Sequence, residues 1–195
     1  KQVFLHLKDG VRQCVLQDAQ NNAAGQIQLQ IAGNGVVSQW TYDPADGRLS
    51  TLKSGKPGEA LQQDLQYGYD RVGNLLRIED HTLAAVYFTN QRVDGHRQFT
   101  YDSLYRLISA SGFEAEVPNS GPALPELIQP IDPARRYGYT ENYTYDAGNN
   151  LIKLCHQRVG NNFTQHMRID PDSNRGVRWK TGDPEPDFQS HFDLH

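Results

Sequence analysis

The sequence predicts an all-β chain of stacked antiparallel hairpins with little helix, and three observations carry that reading. A unit of the form aromatic-x-Tyr-Asp occurs four times, at Trp40-Thr41-Tyr42-Asp43, Tyr67-Gly68-Tyr69-Asp70, Phe99-Thr100-Tyr101-Asp102 and Tyr143-Thr144-Tyr145-Asp146. Each is followed by a turn and a leucine: Leu75, Leu107 and Leu151 stand five positions after their aspartate, and Leu49 stands six after Asp43. No segment repeats its apolar residues with the helical period.

The first hairpin is read from Gln26-Ile27-Gln28-Leu29-Gln30-Ile31, which alternates with period two, and from Gly33-Asn34-Gly35, a turn into Val36-Val37-Ser38-Gln39-Trp40. In each repeated unit, aromatic-x-Tyr places two rings on one face of a strand, because side chains alternate across the pleat. The aspartate at the strand end accepts backbone N–H bonds from the turn it opens, and Gly47 and Gly73 supply positive φ where the chain reverses. The return strands Asn74-Leu75-Leu76-Arg77-Ile78, Arg106-Leu107-Ile108 and Asn150-Leu151-Ile152-Lys153-Leu154 carry the branched apolar residues that sheets favour. A lone hairpin is marginal in water, so the units must lie side by side.

Between the units, Leu83-Ala84-Ala85-Val86-Tyr87-Phe88 reads as an additional strand and Ser54-Gly55-Lys56-Pro57-Gly58-Glu59 as a short polar loop. Residues 117–133 carry five prolines and read as an exposed insertion, since proline cannot serve a ladder. Residues 181–187 read as irregular for the same reason. The uneven spacing of Asp43, Asp70, Asp102 and Asp146 argues against a propeller or a strict solenoid.

Composition narrows the function. The chain has 195 residues and a formal net charge of −4, with its 19 Lys and Arg scattered, so no basic stripe addresses nucleic acid. No apolar run is long enough for a membrane span, and Lys1-Gln2-Val3-Phe4-Leu5-His6 lacks the regions of a signal peptide. The chain reads as one fragment, 1–195, of something longer. Cys14 and Cys155 lie far apart without a CxxC spacing, which favours two unpaired thiols.

Catalytic and ligand-binding readings are weaker than structural ones. The four repeat aspartates recur at turns, which favours a structural role over acid–base pairing. His191, Asp193 and His195 sit on a short tail next to prolines, and Cys155 and His156, adjacent on a strand, point to opposite faces. No nucleophile elbow, phosphate loop or zinc-protease motif is present. The expectation is therefore no enzyme activity, no cofactor and no metal. Trp40, Trp179 and the tyrosines could form a sugar-stacking platform, so an extracellular carbohydrate-binding β module is the alternative; a hydrolase on an unrecognised β fold is a third reading.

The aromatic-x-Tyr-Asp-x-x-Gly-Asn-Leu unit, intact at residues 67–75, resembles the YD repeat of the Rhs family. Asn90-Gln91-Arg92-Val93, then Phe99-Thr100-Tyr101-Asp102-Ser103-Leu104-Tyr105-Arg106-Leu107 and Ala110-Ser111-Gly112, are similar to the C component of bacterial insecticidal toxin complexes (TccC-like). Ala32-Gly33-Asn34-Gly35-Val36-Val37, Ser173-Asn174-Arg175 and Phe192-Asp193 extend the likeness from about residue 30 to the end. The resemblance implies a secreted or cell-surface-associated wall segment of a hollow β shell. In that family the shell is built with a B component, encloses a cytotoxic C-terminal effector, and docks through the B component on an A component. The effector and self-cleavage regions are expected to lie outside this sequence. The residues it assigns to the repeat are Tyr42, Asp43, Gly47, Leu49, Tyr67, Tyr69, Asp70, Gly73, Leu75, Tyr101, Asp102, Leu107, Tyr143, Tyr145, Asp146 and Leu151, with Tyr105 and Asn149 standing where the repeat has glycine.

Overall fold

The structure, a computed structural model, describes residues 2–6, 8–115, 135–173 and 175–189. The proline-rich segment 117–133 and the tail histidines His191 and His195 with Asp193 lie outside the described residues. The chain forms two compact units, 1–84 and 85–195.

The first unit is a meander of β1 (Val3–His6), β2 (Arg12–Asn21), β3 (Ile27–Ala32), β4 (Val37–Tyr42), β5 (Leu49–Gly55), β6 (Gln63–Tyr69) and β7 (Leu75–Asp80), each antiparallel to the next. The second begins with a small hairpin of β8 (Val86–Phe88) and β9 (Gln91–Val93). It continues as a meander of β10 (His96–Tyr101), β11 (Leu107–Ala115), β12 (Arg136–Tyr145), β13 (Leu151–Arg158), β14 (Phe163–Ile169) and β15 (Gly176–Lys180). The fold is all-β and antiparallel, and helical backbone among the described residues is confined to Phe188 and Gln189.

Period-two alternation is visible in the burial of the repeated units. Trp40 and Tyr42, Phe99 and Tyr101, and Tyr143 and Tyr145 are half-buried, while the threonine between each pair is exposed. Two boundaries differ from the sequence reading. The strand expected over residues 83–88 shortens to Val86–Phe88, because residues 81–83 form a turn closed by Asp80, which accepts the Thr82 N–H and hydroxyl at 3.0 and 2.6 Å. The loop expected over 54–59 starts two residues later: Ser54 and Gly55 belong to β5 and are buried, since Ser54 lies opposite Ser38 with the two hydroxyls 2.8 Å apart.

Very little of either unit is deeply buried. Among the described residues no large side chain is fully enclosed, and Val93 and Ala110 are the buried hydrophobic ones. In the second unit the β8–β9 hairpin lies against β12, with Phe88 edge-on to Tyr137 at 4.9 Å. Elsewhere a strand gains its cohesion from neighbours in the sheet, through ladder bonds and cross-strand side-chain pairs. Both cysteines are free; Cys155 Sγ accepts from the Thr164 hydroxyl, while the His156 ring meets Glu141 instead.

Candidate functional site

The feature that recurs is the aspartate turn, and its geometry follows from one carboxylate. Asp70 Oδ1 accepts the backbone N–H groups of Val72, Gly73 and Asn74 at 3.0, 2.8 and 2.8 Å, and Oδ2 accepts the Asn74 side-chain amide at 2.7 Å. Asp102 does the same with Leu104 N, Arg106 N and Arg106 Nε at 2.8, 3.0 and 2.7 Å. Asp146 takes Asn150 N and Nδ2 at 2.9 and 3.0 Å. Behind each carboxylate the backbone closes the loop: Asp70 N donates to Asn74 O, Asp102 N to Arg106 O and Asp146 N to Asn150 O. Asp43 opens a turn one residue longer, in which Asp46 shares the work by accepting Arg48 N at 2.9 Å.

Two further details are common to all four. The residue before the last turn position has positive φ: 72° at Gly47, 106° at Gly73, 62° at Tyr105 and 68° at Asn149. The ladder then skips one residue, so that Tyr42, Tyr69, Tyr101 and Tyr145 pair with Leu49, Leu75, Leu107 and Leu151, each across a bulge. The tyrosine and leucine of a unit are thus cross-strand partners at the mouth of its turn.

Consecutive turns are tied to each other. Arg48 Nη1 donates to the Asp70 carbonyl at 2.8 Å, and Arg106 Nη1 to Asn149 Oδ1 at 2.9 Å and the Asp146 carbonyl at 3.4 Å. Each guanidinium also lies over the ring of the next unit's tyrosine, Arg48 at 5.8 Å from Tyr69 and Arg106 at 5.0 Å from Tyr145. In the opposite direction the Tyr145 hydroxyl donates to the Leu107 carbonyl at 2.8 Å. The turn row is therefore stitched in both directions by side chains that the repeat already contains.

A related turn appears at two places the sequence reading did not count as repeats. Asn22 stands in for aspartate: its Oδ1 accepts Ala24 N and Gln26 N at 3.0 and 2.9 Å, Gly25 has φ 82°, and Asn21 pairs with Ile27 across a bulge. Gln26 then reaches the Gly47 carbonyl at 2.8 Å, and the Tyr42 hydroxyl returns to the Ile27 carbonyl at 2.9 Å. At the other end Asp170 accepts the Ser173 hydroxyl at 2.6 Å, and its N–H donates to Arg175 O. The available signal was the offset rather than the residue type: Asn22, Gly25 and Ile27 repeat the spacing of Asp70, Gly73 and Leu75.

The electrostatics fit a structural carboxylate. For Asp70 partial desolvation pushes its pKa up, yet hydrogen bonds from Asn74, Gly73 and Val72 hold it below the usual carboxylate value. The Arg106 N–H does this for Asp102, and the Asn150 amide for Asp146. In the first unit Asp43, Asp46 and Asp70 border an open groove of ≈ 410 Å³ with Arg48 and Arg71. Each carboxylate there is engaged by its own turn or by Arg48. Among the described residues no group of three or more His, Cys, Asp and Glu side chains could hold a metal ion, and no helix is long and apolar enough to cross a membrane. Trp179 stacks on His166 at 5.5 Å and meets the edge of Phe188.

No family profile matches the chain. Two curated toxin subunits of Yersinia entomophaga do: YenC2, 38% identical over 184 residues and 89% of this chain, and YenC1, 34% identical over 201 residues and 99% of it. The likeness thus reaches the N-terminal strands as well as the part from residue 30 onward. Among solved structures, the TcdB2–TccC3–Cdc42 crystal structure matches 91% of this chain with 36% identity and a TM-score of 0.74. The Photorhabdus luminescens Tc holotoxin pore matches 90% of it with 36% identity and a TM-score of 0.69. The chain spans 8% of each of those two structures' chains. It covers 19% and 20% of YenC2 and YenC1. Sequence and fold together place this chain, about a fifth of its curated relatives in length, in the YD-repeat family of toxin-complex C components.

Proposed function

We propose that the chain is a wall segment of a toxin-complex C component, which together with a B component encloses a cytotoxic C-terminal effector and, through the B component, meets an A component. The observation that carries this reading is the reciprocal stitching of consecutive aspartate turns, Arg48 to Asp70 and Arg106 to Asp146 in one direction and Tyr145 to Leu107 in the other. A hairpin held this way depends on the hairpin beside it, which suits a long wall and serves no small binding cleft. The near absence of deeply buried side chains among the described residues fits a thin barrier, and the carboxylates of Asp70, Asp102 and Asp146 are consumed by their turns, which supports a non-catalytic role. A secreted location accords with the toxin subunits it resembles.

The test is protection. The full-length parent protein, coexpressed with its B partner, should yield a particle in which the C-terminal effector resists a protease that digests the free effector. An effector cleaved equally fast in the particle would refute the enclosure.

A further inference from the structure

The second unit has an open groove of ≈ 670 Å³ between β9, β12 and β13, away from the aspartate turns. Arg92 of β9 and Arg158 of β13 line it, together with Gln91, Thr140, Gln157 and Asn162. None of the described residues that line it is acidic. Each guanidinium is anchored by a carboxylate outside the lining: Arg92 Nη1 lies 3.1 Å from Asp94 Oδ2, and Arg158 Nε lies 2.7 Å from Glu114 Oε1. Arg158 also sits 4.3 Å over the Tyr137 ring.

A guanidinium carries five N–H donors in a rigid fork, and each of these ion pairs uses one nitrogen, so donors remain on both residues. The Arg158 side chain is 14% exposed and already fixed by Glu114 and Tyr137, so an incoming anion has little side-chain entropy to overcome there. Further guanidiniums gather on the same part of the unit. Arg97 and Arg136 lie 4.8 and 5.7 Å from the Phe113 ring, and Arg135 lies 5.7 Å from Phe88, which meets Tyr137 edge-on. Arginine is thus concentrated here, in a chain whose formal net charge is −4.

The neutral lining decides which anion fits. Asn162 Oδ1 accepts the Arg158 backbone N–H at 2.9 Å, which leaves its Nδ2 as a donor, while the Gln91 and Gln157 amides each offer a donor and an acceptor. A side-chain amide can pair with both the N–H and the C=O of a peptide, whereas a phosphate takes donors alone. We propose that this groove docks an acidic, extended polypeptide segment. A carboxylate of the segment takes the remaining guanidinium donors of Arg92 and Arg158, and the amides of Gln91, Gln157 and Asn162 bind the peptide groups beside it. The contact is charge-assisted, and it weakens as salt rises because the Arg92 side chain is 57% exposed.

Two measurements on the full chain test it. In an anisotropy titration with fluorescein-labelled hexaglutamate at low salt, Arg92→Gln should weaken binding about three- to tenfold. Arg158→Lys, which keeps a cation beside Glu114 and loses the fork, should weaken it about tenfold. Lys53→Gln, at an exposed cation of the first unit, should change it by less than about twofold. Hexaglutamate held no more tightly than hexaglutamine, or weakened as much by Lys53→Gln as by Arg92→Gln, would overturn the site. So would tighter binding of a labelled hexauridylate, or displacement of the peptide by inorganic phosphate more readily than by free glutamate. Two-dimensional NMR of the unsubstituted chain needs no variant to fold: hexaglutamate should shift the side-chain amide signals of Gln91, Gln157 and Asn162 and leave those of Asn22 and Gln26 in place. Shifts absent from the first three, or spread evenly over all five, would also overturn it.

Discussion

Arg106 Nη1 donates to Asn149 Oδ1 at 2.9 Å across the gap between two consecutive aspartate turns, while its Nε stays on its own Asp102 at 2.7 Å. One guanidinium therefore finishes one turn and holds the next, which a lysine ammonium, lacking the planar fork, cannot do. The coupling is measurable by a double-mutant cycle of Arg106→Ala with Asn149→Gly, glycine being chosen because residue 149 has φ 68°. We expect a coupling of about 0.5–1 kcal/mol in urea unfolding, in keeping with a part-exposed side-chain bond. A coupling of zero would show that the Arg106–Asn149 bond adds nothing to the link between the two turns.

The return stitch is the Tyr145 hydroxyl on the Leu107 carbonyl at 2.8 Å. Tyr145→Phe keeps the ring, and with it the pairing to Leu151, while removing the donor to a part-buried carbonyl. A loss of about 1 kcal/mol is expected from the midpoint of denaturant unfolding. Thr144→Val, on the exposed position beside it, should change little and serves as the control.

Tyr105 carries the strain of its unit. It occupies the left-handed region at φ 62°, where Gly73 sits in the intact repeat, and the residue is 61% exposed. L-residues with bulky side chains lose about 1–2 kcal/mol in that region, and glycine gives part of this back through the entropy of its unfolded chain. Tyr105→Gly should therefore stabilise by about 0.5–1 kcal/mol, read as a rise in thermal midpoint. A fall would mean that the ring has packing that outweighs its backbone.

What the sequence made legible and what it hid divide along a physical line. Asp and Leu of each unit, with Gly47 or Gly73 where the unit has a glycine, act within their own hairpin, so their offsets vary by at most one residue and are readable. The partner of Arg48 is Asp70 and that of Arg106 is Asp146, at unequal separations, because the chain between turns varies while the neighbouring edge does not. No fixed spacing marks such a pair. Asn22 was hidden because neither its own type nor the residues before it match the aromatic-x-Tyr-Asp pattern, although its backbone repeats the turn. His156 drew notice for its neighbour Cys155, which faces Thr164; its partners Glu141 and Glu114 become visible once the strand register is known.

The carboxylates set an acid limit. Asp70, Asp102 and Asp146 are each held below their ordinary value in the folded chain. A depressed folded-state pKa contributes stability above the unfolded carboxylate value, near about 3.9, that is lost as pH falls through the folded value. The thermal midpoint should drop below about pH 4 for this reason. Asp146→Asn, which cannot ionise, should reduce the steepness of that drop while lowering the midpoint at neutral pH.

The Asn22 turn allows the rule of the repeat to be rebuilt rather than broken. Asn22 Nδ2 donates to Gln26 Oε1 at 2.8 Å, which leaves Gln26 Nε2 free to reach the Gly47 carbonyl at 2.8 Å. Asn22→Asp alone removes that donor and asks Gln26 to donate inward, so the reach to Gly47 is lost and no gain is expected. Adding Gln26→Arg supplies donors for both tasks, as Arg106 does between Asp102 and Asn149. The double variant should therefore exceed the native chain by about 0.5–1 kcal/mol in urea unfolding, while Asn22→Asp alone stays level with it or falls below. If the single variant stabilises as much as the double, the link from the last turn residue to the next turn adds nothing, and the carboxylate by itself accounts for the order of the row.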